Sequence, residues 1–354
     1  MEIEIIKAVK LKEKPTDESG LGFGKVFTDH MFLMEYDEGK GWHDARIQPY
    51  TKLMIDPASA VLHYAQEIFE GLKAYRTPNN DIQLFRPRDN AVRLNKSAHR
   101  MVMPEIDPDF NVEVMKKLVD IERDWVPHME GTSLYLRPTM IADGAELGVH
   151  ASKRYLYYII CAASGMYYTK GFAPVRIYVE DSYVRAVRGG VGGSKTGGNY
   201  ASSLRASEEA KEKGFSQVLW LDAVEHKYVQ EVGAMNMMFL LGDTVCTAPI
   251  DGSILDGITR RSVLELVKDM GYKVEERPIS IDELYVAGES GLLKEAFGTG
   301  TAAIISPVSE LFYKGQSLIL NGGKIGTLTQ KLYDTLIGIQ RGAIEDPYGW
   351  TVKI

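Results

Sequence analysis

The sequence predicts an α+β protein of two domains, and three observations carry that expectation. Its 354 residues exceed what a single hydrophobic core usually organises. Residues 1–163 alternate amphipathic helical periods with strands joined by short turns. After a polar stretch with glycines and a closing proline, 164–174, strand and helix signals resume through 175–354. The expected plan is a small N-terminal α+β domain at 1–163, a linker at 164–174 and a large C-terminal domain at 175–354.

In the first half, Met1–Lys7 alternates like a strand, and strand-like Phe27–Leu33 follows a polar, glycine-containing segment. Leu72–Tyr75 and Ile82–Phe85 flank the turn signal Asn79-Asn80-Asp81, which predicts a hairpin. A helix is expected from near Asp89 to Met101, stopped by Pro104. A second runs from Val112 to Trp125, with Val114, Leu118, Ile121 and Trp125 on its apolar face. Leu134–Arg137 and Tyr155–Cys161 complete the strands.

The second half opens with Val175–Val179. A helix is expected from Asn199 to Lys213, capped by Gly214. Val218–Leu221, Met237–Leu241 and Thr244–Thr247 suggest a meander that turns at Gly242-Asp243. A helix from Ile258 to Gly271 follows, then a capping box at Ser280–Glu283 and a last helix from about Thr327 to Arg341.

Composition narrows the function. The chain is 45% hydrophobic and 25% charged, with net charge −7 and no isolated Lys/Arg block. Nucleic acid and anionic membrane are therefore not expected as main partners. The N-terminus lacks a signal peptide's basic-then-apolar plan. The longest apolar stretch, Tyr155 to Tyr168, is too short to span a bilayer. Two distant cysteines, Cys161 and Cys246, suit buried reduced thiols in a cytoplasmic protein. Seven histidines without ligand spacing predict no metal site.

One stretch stands out. From Gly189 to Tyr200, six glycines surround Lys195, the one long side chain in the middle of the loop. A Walker A loop would need Gly-Lys, but Ser194 separates Gly193 from Lys195. A dinucleotide fingerprint starting at Gly190 would need glycine where Lys195 stands. A lysine so enclosed can serve as a phosphate counter-charge or as an amine that bonds an aldehyde. The plainer alternative is a solvated lysine on a surface turn.

Other motifs are ambiguous one by one. Glu231 lies in an apolar run, Gln230 to Asn236, where a half-exposed strand position is the ordinary outcome. Gly257 precedes a helix start at Ile258-Thr259, which can bind phosphate or merely be an N-cap. Gly298 to Ala303 is a second small-residue loop, and Arg93 lies on a helix face beside Val92 and Leu94.

Taken together, these segments resemble the branched-chain amino acid aminotransferases, class IV enzymes of fold type IV. Gly189–Tyr200, Glu231–Asn236, Leu255–Arg260 and Gly300–Ala302 match that family's motifs in order. So do Phe23-Gly24-Lys25, Phe27–Met31, Leu62-His63-Tyr64, Phe69-Glu70-Gly71, Leu84–Pro87 and Arg137-Pro138. The likeness covers nearly the whole chain.

The resemblance implies a small α/β sandwich domain, a larger pseudo-barrel domain and pyridoxal 5'-phosphate as cofactor. Lys195 would bond the cofactor aldehyde as a Schiff base and later carry the proton between the substrate Cα and the cofactor. Glu231 would face the pyridine nitrogen, and Tyr200 the phenolic oxygen. Arg93, Ile258, Thr259 and Thr301 would hold the phosphate. Phe23, Tyr64, Phe69 and Tyr135 would form apolar walls for leucine, isoleucine or valine. Arg137 and Tyr135 would take the side-chain carboxylate of glutamate, and Thr301 with Ala302 the α-carboxylate. Val149, in Leu147-Gly148-Val149, matches a loop that reaches the neighbouring subunit's pocket, which implies a homodimer.

Two departures are visible. Ala234 stands where mammalian members often carry threonine, and Ala303 and Ser306 replace their C-x-x-C pair. A thiol switch of that kind is absent, and a bacterial-type cytoplasmic enzyme is expected. D-amino acid aminotransferases and aminodeoxychorismate lyases would share the Lys195 and Glu231 chemistry. The N-terminal matches and Tyr135-Leu136-Arg137 argue against both. A nucleotide-binding kinase and a non-catalytic binding protein are the readings from other classes.

Overall fold

The computed structural model describes residues 1–166 and 171–354. The expected linker, 164–174, lies partly outside the described residues, at Thr169 and Lys170 in particular. The chain divides into two units. The first comprises Met1–Thr169, Ser194–Gly197 and Gly338–Ile354, and the second comprises Lys170–Gly193 and Gly198–Ile337.

The first unit is built on a mostly antiparallel sheet. Its strands are β1 (Glu4–Ile5), β2 (Val26–Phe27), β3 (His30–Asp37), β4 (Gly41–Pro49), β5 (Glu67–Phe69), β6 (Leu72–Arg76), β7 (Ile82–Phe85), β8 (Ser133–Ala142) and β9 (Arg154–Ser164). The central order is β1-β4-β3-β9-β8-β6-β7, with β5 paired to β8 and β2 to β9. After the short helix α1 (Ala60–Tyr64), α2 (Pro87–Met101) and α3 (Pro108–Ile121) bury apolar faces in the same core as the sheet. The Asp107 carboxylate caps α3 by accepting from Phe110 N at 2.8 Å. Leu94, Val114 and Leu118 are fully enclosed, each contributing about 1.5–3 kcal/mol of burial. The expected second helix ends at Ile121, and Trp125 follows in a 3-10 turn.

In the second unit the strands are β10 (Val175–Glu180), β11 (Gln217–Leu221), β12 (Val229–Val232), β13 (Met235–Leu241), β14 (Thr244–Thr247), β15 (Lys273–Glu276), β16 (Leu293–Gly300), β17 (Ile304–Tyr313) and β18 (Gln316–Ile319). The path β12-β11-β10-β17-β16-β13 closes on itself through a β12–β13 pairing. That ring is the pseudo-barrel. Within it, all of β13 is buried.

The helix expected from Asn199 to Lys213 is two helices, α4 (Gly197–Ala201) and α5 (Leu204–Glu212). The break has a local cause. Ser202 Oγ donates to Asn199 O and Ser203 Oγ to Tyr200 O, so both hydroxyls compete with the helical ladder. Helices α6 (Ile258–Asp269), α7 (Ile281–Glu289) and α8 (Thr327–Gln340) fall where the sequence places them. Ser280 Oγ accepts from Glu283 N at 3.1 Å, the capping contact that Ser280–Glu283 predicts.

The chain's last strand, β19 (Thr351–Lys353), pairs with β7. Residues 338–354 therefore belong with the first unit, although the sequence groups them with the second half. Among the described residues, no helix is long and apolar enough to cross a membrane.

Candidate active site

Lys195 belongs to the four residues, Ser194–Gly197, by which the chain leaves the second unit and joins the first. Its backbone is held at both ends. Lys195 N donates to Ser97 Oγ at 2.9 Å, and its carbonyl accepts from Phe69 N at 3.0 Å. Thr196 Oγ1 donates to the Glu67 carbonyl at 2.7 Å. The loop therefore docks on β5 and on α2, one turn beyond Arg93. Gly197 lets the Glu67 carboxylate lie against the loop, since a Cβ there would displace Glu67 Oε1.

The Lys195 ammonium lies 4.7 Å from the Phe69 ring centroid, and the Arg137 guanidinium lies 4.6 Å from that ring. Arg137 Nη2 donates to the Tyr135 hydroxyl at 2.9 Å, and Phe23 meets the Tyr135 ring edge-on at 4.8 Å. Gly71 makes room for that hydroxyl, which an added Cβ would strike. Phe23, Phe69, Tyr135, Arg137 and Lys195 thus form one cluster of rings and cations. Tyr64 is exposed, and its hydroxyl donates to the Leu147 carbonyl, beside the exposed Val149. Arg93 is buried, with Nε and Nη2 bonding Glu70 at 2.8 and 2.7 Å.

The second unit holds a group of a different kind. Glu231 is 2% exposed on β12, with Arg185 Nη1 2.5 Å from its Oε2 as an ion pair. Asn236 Nδ2 lies 3.4 Å from Glu231 Oε1 and donates to Leu255 O at 2.8 Å. Ala234 is exposed in the β12–β13 turn. Tyr200 is half-buried on α4. The loop before it is pinned by Asn199 Nδ2 to Val191 O and by Gly193 N to Gly252 O.

Ile258 and Thr259 open α6, both buried, with no side-chain cap on Gly257 and no acidic residue in the first turn. Gly257 packs so closely that a Cβ would run into Asn236 Oδ1. Thr299 Oγ1 is buried without a hydrogen-bond partner among the described residues, just before the β16–β17 turn that carries the half-buried Thr301 and Ala302. Buried residues at a helix start with no acid in its first turn, where the preceding Asp256 is paired with Arg261, suit a phosphate. A buried carboxylate ion-paired with an arginine suits a protonated ring nitrogen. The residues present fit pyridoxal phosphate.

Ser97, Arg185 and Glu67 escape sequence reasoning. Each is a common residue in an unremarkable local pattern, and only tertiary contacts reveal it.

The lysine amine beside arene and guanidinium in the first unit, and the helix-start donors in the second, each suit an enzyme that uses an aldehyde-and-phosphate cofactor. Residues 67–311 match the family model described as amino-transferase class IV. The chain is 53% identical over 353 residues to "Branched-chain-amino-acid transaminase 1" of Bacillus subtilis, covering 99% of each chain. Among solved structures, an Escherichia coli branched-chain amino acid aminotransferase superposes with TM-score 0.75 at 26% identity, covering 91% of this chain and 98% of that one. The branched-chain amino acid aminotransferase of Thermobaculum terrenum, solved in its PLP-form, shares the fold with TM-score 0.75 at 24% identity, covering 91% and 97%. This chain belongs to the class IV, pyridoxal-phosphate-dependent aminotransferases.

Proposed function

We propose that the chain is a branched-chain amino acid aminotransferase, moving an amino group reversibly between L-leucine, L-isoleucine or L-valine and 2-oxoglutarate. The observation that carries this reading is the Lys195 amine over Phe69, with Arg137 on the same ring, in a chain alike end to end to branched-chain transaminases. Apolar rings suit a branched side chain, while the guanidinium suits the second carboxylate of glutamate.

Bound pyridoxal phosphate supplies a ring that withdraws electrons and so acidifies the amino acid's Cα–H. Lys195 Nζ would hold the cofactor and, when free, would take and return the Cα proton. Glu231, paired with Arg185, would face the ring nitrogen. Tyr200 would donate to the phenolic oxygen. Arg93, Thr301 and the N–H groups of Ile258 and Thr259 would hold the phosphate. Phe23, Tyr64, Phe69, Tyr135 and Ala234 would bound the side chain. Thr301 and Ala302 would orient the α-carboxylate. One methylene in such a pocket is worth only about 1–3 kcal/mol, so discrimination among Leu, Ile and Val should be weak.

The chain is proposed to act as a cytoplasmic homodimer. Val149 is 84% and Leu147 63% exposed, which suits a loop that inserts into a partner's pocket. A mass measurement in solution at twice 39.5 kDa would support this, and a monomer would refute it. The activity is tested with L-leucine against D-alanine, each with 2-oxoglutarate as acceptor. Leucine should be strongly preferred, and a preference for D-alanine would overturn the reading.

A further inference from the structure

We infer that Glu67 is a resident counter-carboxylate for Arg137, a specificity-determining residue that lets one pocket alternate between apolar and acidic side chains. The inference rests on the reading above, in which Arg137 receives the side-chain carboxylate of glutamate or 2-oxoglutarate.

Arg137 is half-buried between two rings. Its guanidinium lies 4.6 Å from the Phe69 ring centroid and 5.2 Å from that of Tyr135. Nη2 bonds a neutral phenol, and Nε is buried with no hydrogen-bond partner among the described residues. A cation in such surroundings is costly unless a negative charge stands near. An acidic substrate would bring one. A leucine side chain would not.

Glu67 fills that gap. It lies on β5 two residues before Phe69, and so on the same sheet face. β5 pairs with β8, the strand that carries Arg137. Its carboxyl is half-buried, and that burial raises its pKa while Arg137 pulls it back down. Its Oε1 rests against Gly197, and its own carbonyl holds Thr196, so side chain and backbone both lie against the Lys195 loop. The titratable and charged groups facing this region are Arg137 and Tyr135 on β8, Tyr158 on β9 and Lys195. Tyr158 is itself pushed up by burial, with Glu67 adding to the shift and Arg137 opposing it.

The two substrate classes then present different charge problems. With a branched side chain bound, ionised Glu67 balances Arg137. With a dicarboxylate bound, two carboxylates share one guanidinium, and Glu67 relieves the repulsion by taking a proton from solvent. No bond to carbon changes in this step.

The test uses the holoenzyme, wild type and Glu67→Gln. Steady-state kinetics with 2-oxoglutarate and with 4-methyl-2-oxopentanoate separate KM from kcat. Calorimetric titration with glutarate and with 4-methylpentanoate, in two buffers of different ionisation enthalpy, counts protons. Glu67→Gln should lower KM for 2-oxoglutarate and raise it for 4-methyl-2-oxopentanoate, each roughly fivefold, with kcat nearly unchanged. Wild type should take up a fraction of a proton with glutarate and none with 4-methylpentanoate, and the variant should take up none with either. Equal KM changes for both substrates, or equal proton uptake for both acids, would overturn the proposal. If the variant fails to fold, the wild-type proton count alone decides. A wild type that binds both acids but transfers no amino group from leucine would instead sink the underlying activity.

Discussion

One group of charged residues in each unit is surrounded differently, although the first unit also holds the buried Arg93–Glu70 ion pair. In the first, Lys195 and Arg137 are covered by rings, and a buried guanidinium nitrogen makes no hydrogen bond among the described residues. In the second, charges meet opposite charges or backbone groups, although Arg260 Nε is likewise buried without a hydrogen-bond partner among the described residues. Arg185 pairs with Glu231, and Arg260 Nη2 donates to Ala248 O at 3.1 Å and to Glu276 at 2.5 Å. The Asp222 carboxylate accepts from four backbone N–H groups at 2.8–3.1 Å. On the proposed reading, soft aromatic cover would tolerate a ligand that changes from leucine to glutamate, and the ion pairs would preorganise a place for a group that never changes. Substitutions at Arg137 and the rings around it should therefore alter which substrate is used, and those at Arg185, Glu231 or Asp222 should alter cofactor retention or stability.

The largest expected effect is that of Lys195→Ala. Removing the amine that moves the Cα proton should lower transamination by at least about 10²–10⁴-fold while the far-ultraviolet circular dichroism stays unchanged. Arg137→Met should come next. Losing a hydrogen-bonding cation is worth roughly 1.5–3 kcal/mol, so kcat/KM for 2-oxoglutarate should fall about 10- to 100-fold, and that for 4-methyl-2-oxopentanoate much less.

In the second unit, Asp222→Ala should leave substrate preference alone and destabilise the fold by about 1–3 kcal/mol, read from urea unfolding. Burial raises the Asp222 pKa, but its backbone donors outweigh this and bring it to about 2, from 3.8. A carboxyl depressed by folding stabilises above the unfolded value. That contribution is lost as pH falls from about 3.8 towards 2, so the variant should lose less stability than wild type across this window.

The smallest effect sharpens the contrast from the first unit. Lys73 on β6 is buried, which lowers its pKa to about 8 from 10.5. Here the unfolded chain binds the extra proton, so stability should rise with pH between about 8 and 10.5. Lys73→Met should flatten that rise in thermal or denaturant unfolding.

The sequence made the Lys195 loop legible because six glycines around one long side chain have few structural uses. Local pattern also located α2, α6, α7 and the β6–β7 hairpin, whose signals lie within a dozen or so residues. What stayed hidden was set by distant contacts. Nothing near Thr351 announces that it pairs with Phe85, and the closure of the barrel rests on Glu231 meeting Asn236 across a turn. Glu231 looked like a half-exposed strand residue until Arg185, 46 positions earlier, accounted for its burial. The Ser202-Ser203 break was written locally, yet a continuous helical period concealed it.

The central claim is that Lys195, and no other amine, carries the cofactor. Reducing the holoenzyme with borohydride and mapping the peptides by mass spectrometry tests it directly. The account predicts a phosphopyridoxyl adduct on the peptide containing Lys195, and none after prior conversion with L-leucine. An adduct on Lys73 or another lysine, or no adduct at all, would contradict it.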